Sequence, residues 1–159
     1  MKLRVVAGVI IALLLGYLTL MKTSTAETVL VGQAQTVLVG QAQIDGRALA
    51  ASVGLKTLGG IFSPLLSQGA ELPASIDTTF STGSDNQTQI QLMFFTGNAD
   101  YAAENVALST VEVTGFSTLP RGGPQVVVNV LVDIEGNVYV SATEGGAALD
   151  VGLLPETSN

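Results

Sequence analysis

Val126, Val128, Val130 and Val132 alternate with Val127, Asn129 and Leu131, and Val138 and Val140 resume the alternation after Ile134-Glu135-Gly136-Asn137. A period of two belongs to a strand, whose successive side chains point to opposite faces, and not to an amphipathic helix. The glycine-containing turn between the two runs closes them into a hairpin. Ile90, Leu92 and Phe94 alternate with Gln89, Gln91 and Met93 in the same way. Turn markers recur at Gly59-Gly60, Gly69, Gly83, Gly97-Asn98, Gly115, Pro120-Arg121-Gly122-Gly123-Pro124 and Gly145-Gly146, separating runs of about eight to ten residues. From Ser52 onward no long amphipathic helix is read. The expected fold is all-β, an antiparallel β-sandwich.

Composition narrows the chemistry. The 159 residues include no histidine, cysteine or tryptophan, which removes Ser-His triads, thiolate nucleophiles, the usual zinc sites and disulfides. After Ala26, Arg47, Lys56 and Arg121 face all 13 acidic residues, a net charge of −10 that repels phosphate backbones and excludes nucleic acid as a partner. No G-x-x-x-x-G-K-[ST] loop occurs, and the glycine pairs lack the strand-to-helix context that phosphate binding needs. Asp77, Asp85 and Glu104 are scattered, with no motif that builds a pocket around them. Asp133 to Asn137 with Glu144 has a faint likeness to a calcium loop, but its glycine stands fourth where the EF-hand loop requires it sixth. The expectation is therefore no enzyme, no cofactor and no metal.

The N-terminus carries a different signal. Met-Lys-Leu-Arg precedes VVAGVIIALLLGYLTL, residues 5–20, an uncharged run that would span about 24 Å as a helix. That is slightly short of the ~30 Å hydrocarbon core and slightly long for a signal-peptide core, and Ser24-Thr25-Ala26 offers the small residues that a signal peptidase reads. Residues 1–26 thus read as a signal peptide or a membrane anchor. Lys2 and Arg4 outweigh Lys22, so either reading leaves the rest of the chain extracytoplasmic, secreted or tethered through residues 5–20.

TVLVGQAQ at 28–35 is repeated letter for letter at 36–43. Eight is an even number, so in extended backbone both copies present the same faces, whereas a helix would rotate the second by about 80°. The copies read as short strands or a linker, with Gly32 and Gly40 interrupting each apolar triplet. They are either a tandem duplication in a tolerant linker or extended segments that pair with something.

Three ordered blocks, VGLKTLGGIFSPLLSQGAELP, FSTGSDNQTQIQL and LPRGGPQVVVNVLVDIEGNVYVSATE, resemble the β-sandwich substrate-binding domain of the Hsp70 chaperones. The similarity covers roughly residues 48–154. It implies a two-sheet sandwich whose loops at one end form a channel for an extended apolar peptide. By resemblance Leu55, Thr57, Leu58, Phe80, Gly83, Gln87, Ile90 and Leu92 line that channel, with Ile90 at its central pocket and Leu58 and Gly83 forming an arch. The family usually has a small apolar side chain at the Gly83 position, so glycine there loosens the arch. Asp85 and Arg121 match residues that help hold a helical lid. Neither a lid nor an actin-like nucleotide-binding domain is read in this sequence, so ATP-driven cycling is not expected.

The expected organisation is a signal or anchor at 1–26, a linker at 27–47, the sandwich at 48–154 and a tail at 155–159. The expected function is ATP-independent, holdase-like binding of extended apolar peptides or unfolded proteins outside the cytoplasm. The alternative is a structural protein that uses a degenerate Hsp70-like sandwich as a scaffold and self-associates through residues 28–43.

Overall fold

The computed structural model describes residues 35–155. The hydrophobic run at 5–20 and the first TVLVGQAQ copy, apart from Gln35, lie outside them. Among the described residues no helix is long and apolar enough to cross a membrane.

The strands are β1 Thr36–Gln41, β2 Ile44–Asp45, β3 Ala48–Leu49, β4 Ser52–Lys56, β5 Phe62–Leu66, β6 Ala74–Phe80, β7 Gln89–Gly97, β8 Val106–Thr114, β9 Val126–Val132, β10 Asn137–Glu144, β11 Ala147–Ala148 and β12 Asp150–Leu154. One sheet runs β1-β10-β9-β6, with β11 also against β10, and the other runs β12-β8-β7-β4-β5; every pairing is antiparallel. This is the all-β sandwich that the alternation implies.

Period two becomes packing across the registers. Val130 pairs with Val140 on one side and Ile76 on the other, and Val128 pairs with Ala142, so a row of small and branched side chains lines the inner face of the first sheet. Val53, Leu55, Phe94, Val111 and Val113 line the facing sheet, and one continuous cluster of buried residues joins the two. Branched side chains suit this surface because their stiff χ1 loses little on packing against a pleat. The hairpin turn is locked by Asp133, whose Oδ1 accepts the N–H groups of Glu135 and Asn137 at 2.8 and 2.9 Å and whose Oδ2 accepts the Asn137 amide at 2.9 Å. Both carboxylate oxygens thus accept hydrogen bonds within the turn.

The sandwich begins before residue 48. The second TVLVGQAQ copy, expected in a linker running to 47, supplies edge strand β1, which pairs with β10 from Thr36↔Ser141 to Gln41↔Asn137. Val39 is 2% exposed and Ala42 is also buried, so the apolar letters of this copy enter the core. The gain from covering Val39 and closing the β10 edge outweighs the freedom of a linker.

Candidate functional site at the loop end of the sandwich

The registers bring several strand ends together. Gln89 pairs with Thr114, Asp150 also pairs with Thr114, and Phe80 and Glu144 both pair with Val126. Loops 81–88 and 115–125 therefore emerge at one end; β4 runs toward that end, and loop 57–61 after it packs against the β7–β8 connection through Ile61↔Tyr101.

Loop 57–61 follows β4 and carries a 3-10 turn at Leu58–Gly60. Leu58 is 96% exposed. The base of the loop is fastened: Thr57 donates both its N–H (2.8 Å) and its hydroxyl (3.1 Å) to the Ile61 carbonyl, and Phe62 N–H donates to Asp100 O at 2.8 Å. A large apolar side chain is thus held in water on a short, closed turn.

Loop 81–88 is braced by loop 115–125. Asn86 N–H donates to Leu119 O at 3.0 Å, Gly122 N–H to Thr82 O at 3.1 Å and the Ser81 hydroxyl to Pro124 O at 2.6 Å. Asn86 adopts φ 55°, which asparagine accepts more readily than most residues. Arg121 N–H donates to Asp85 Oδ1 at 2.8 Å, so this Asp–Arg pair ties the two loops to each other through the backbone. The Gln87 amide bridges within its loop, accepting from Gly83 N–H at 3.1 Å and donating to Gln89 O at 2.6 Å. On the far side of loop 115–125, Ser117 donates its N–H and hydroxyl to Glu144 Oε2 at 2.7 and 2.8 Å. Those bonds hold the Glu144 carboxyl below its ordinary pKa.

The eight expected channel residues divide into two groups. Leu55, Ile90 and Leu92 are buried in the core cluster and Phe80 is packed against it half-buried. Ile90, the expected central pocket, is 7% exposed. Thr57, Leu58 and Gly83 are exposed and Gln87 is partly so, all on the two loops above that core. An added Cβ at Gly83 would meet nothing within 4 Å. Sequence reasoning missed Leu119, 41% exposed on the bracing loop. Its signal was its place just before Pro-Arg-Gly-Gly-Pro, where an apolar side chain has no strand to carry it inward. A separate cavity of about 220 Å³, lined by Gln43, Ala51, Thr96, Asn98, Glu104 and Asn105 among others, contains none of the eight.

The end of the sandwich thus offers solvent-held apolar side chains and loop backbone groups over an apolar floor, the elements that an extended peptide needs. Nothing in it pairs a nucleophile with a base. Among the described residues no group of three or more His, Cys, Asp or Glu side chains converges to hold a metal ion.

Comparison with known proteins agrees with this geometry. The chain is 40% identical over 93 residues to a mitochondrial heat shock 70 kDa protein of Pisum sativum, covering 58% of this chain and 14% of that protein. It is 36% identical over 107 residues to heat shock protein hsp-6 of Caenorhabditis elegans, covering 67% of this chain and 16% of the relative. The chaperone protein DnaK of Mycoplasmopsis synoviae (strain 53) is 36% identical over 93 residues, 58% of this chain and 16% of its own length. The chain therefore spans about one-seventh of the length of these relatives. The family model described as Hsp70 protein matches residues 25–151, most of the chain, and the chain belongs to the Hsp70 family.

Proposed function

We propose that this chain binds extended apolar peptide segments of unfolded proteins at the loop end of its sandwich, without ATP, as a holdase-like module. Leu58 carries the reading. An isobutyl group 96% exposed on a fastened turn loses apolar area to water that a bound peptide would recover. Ile90, Leu92 and Phe80 beneath the loops supply the apolar floor, and the name of one relative, a chaperone protein, agrees with such a role. Independence from ATP is part of the proposal, and the comparison with and without nucleotide below decides it.

The same proposal puts the sandwich outside the cytoplasm, released or tethered by residues 1–26. Its support is the uncharged run at 5–20 behind Lys2 and Arg4. The test is aggregation of a chemically unfolded client, followed by light scattering with the full chain present. Suppression of equal extent with and without ATP is expected. Suppression only with ATP, or none at any ratio, overturns the proposal.

A further inference from the structure

At the end of β7 away from loop 81–88 stands a residue out of keeping with its neighbours. Thr96 belongs to the inward-facing set of β7, after Ile90, Leu92 and Phe94, where period two would place another apolar side chain. It is 4% exposed, and its hydroxyl has no hydrogen-bond partner among the described residues. A buried hydroxyl left unpaired destabilises a fold. Thr96 also lines the cavity of about 220 Å³ that lies apart from the eight channel positions.

The walls of that cavity are built by hydrogen bonds. Asn98 Oδ1 accepts the Ser52 N–H and hydroxyl, both at 3.1 Å, and Ser52 Oγ accepts Gln68 N–H at 2.9 Å. Asn105 Oδ1 accepts Ala99 N–H at 3.0 Å, while its amide donates to Ala99 O at 2.9 Å and Tyr101 O at 3.1 Å. Gly97 takes φ +154°, and a Cβ there would run into the Asn105 side chain, so the connection can close this tightly only on glycine. Both asparagines are thereby held in place.

The groups left over define a ligand. Glu104, on the 3-10 turn Ala102–Glu104, is the one charged residue among those lining the cavity. Among the described residues nothing pairs with its carboxylate or with the Gln43 side-chain amide. A carboxylate, a hydroxyl and an amide carbonyl all accept hydrogen bonds, which suits a positively charged group rich in donors. An anion would meet Glu104 on an already acidic chain, and a divalent cation needs more oxygen ligands than one carboxylate supplies. The volume is below the roughly 300–1,000 Å³ of pockets for drug-sized ligands and above the ~150 Å³ of a cavity that holds benzene, so it has room for about five to eight heavy atoms. We propose that this cavity binds a primary ammonium group on a short alkyl chain, a free amine or a lysine side chain, with Glu104 and the Thr96 hydroxyl accepting its N–H groups and Ala51 and Val106 flanking the chain. The site shares no residue with the channel positions and stands whether or not the loop end binds peptide.

The test titrates n-butylammonium chloride into the full chain at constant ionic strength, with backbone amide NMR as the readout. Saturable shifts centred on residues 96–99 and 104–106 are expected, and n-butanol, the same alkyl chain without the charge, should produce none. Thr96→Val should weaken binding at least about tenfold and leave the melting temperature unchanged or higher, because its hydroxyl serves the ligand and not the fold. Glu104→Gln replaces an exposed side chain, so it keeps the fold and should weaken binding to a similar degree. Lysine blocked at both backbone ends separates the two sources: binding at least as tight as n-butylammonium supports a lysine side chain, and its exclusion while n-butylammonium binds supports a free amine. No saturable shift, equal shifts with n-butanol, shifts spread evenly over the acidic surface, or unchanged affinity in both variants overturns the proposal.

Discussion

Truncating Leu58 to alanine separates binding from folding. Leu58 is 96% exposed in the free protein, so Leu58→Ala removes almost no buried area, and stability should change by less than about 0.5 kcal/mol. For a domain of this size that is a melting shift of no more than about 2 °C. In the proposed complex the same side chain would lie against the peptide, and covering a leucine stabilises by about 1.5–3 kcal/mol. Losing it should weaken binding about tenfold to 150-fold. The assay is fluorescence anisotropy of a labelled heptapeptide with a central leucine, paired with a thermal melt of both proteins. Unchanged affinity would refute the assignment of Leu58 to the binding surface. A melting temperature lower by more than about 5 °C would refute the claim that the side chain stands free of the core. Ile90→Phe is a poorer probe than the resemblance alone implies. At 7% exposure, Ile90 is packed in the core opposite Val113, and an added ring costs about 1–3 kcal/mol by overpacking, so lost binding there could follow from lost structure.

Three further outcomes follow from the same geometry. Gly83→Ala places its methyl in open space, so it should raise stability by about 0.4–1 kcal/mol through the unfolded chain and tighten peptide binding by stiffening loop 81–88; a lower melting temperature would contradict this. Gly54→Ala drives a Cβ into the Ser63 carbonyl oxygen and to 2.7 Å from Pro64 Cα, both backbone of β5, so it should cost more than about 2 kcal/mol in denaturant titration, and a neutral result would show that β4 and β5 separate easily. The Ser117 bonds hold Glu144 below the ordinary glutamate value of 4.5, so its contribution is complete above that pH and is lost as pH falls through the lowered folded value. Asp133 acts in the same sense: burial pushes its carboxyl up, but hydrogen bonds from Asn137, Glu135 and Tyr139 together outweigh it and hold it below 3.8. Replacing Glu144 by glutamine should therefore flatten the melting temperature against pH below about 4.5 and leave it unaltered at neutral pH apart from a constant offset.

The strands legible from sequence are those whose faces differ. β7, β9 and β10 each alternate, and the Asp133–Asn137 turn marks where the β9–β10 hairpin reverses. β1 was harder to read because Val37, Leu38 and Val39 are apolar on both faces and their partner, β10, lies about a hundred residues away. A duplication looks like linker until the edge it fills is known. β12 shows the same limit from the other end: Asp150–Leu154 follows β10 closely, yet it crosses to the other sheet and pairs with β8. Alternation assigns a residue to a face but not to a partner. The candidate site divides on similar grounds. Thr57, Leu58, Gly83 and Gln87 fall beside turn markers and emerge on loops, whereas Leu55, Ile90 and Leu92 obey period two whether they line a channel or fill a core. The Asp85–Arg121 contact was not readable, since it joins a carboxylate to a backbone N–H that any residue at position 121 except proline could supply.

Whether an extended apolar peptide seats at the loop end is tested most simply by direct titration. The full chain, without nucleotide, is titrated into a labelled heptapeptide with a central leucine and into the same peptide with serine at that position. Saturable binding at micromolar concentration, weakened at least about tenfold by the serine, is the predicted result. Absence of saturation up to millimolar protein, or equal affinity for the two peptides, would contradict it.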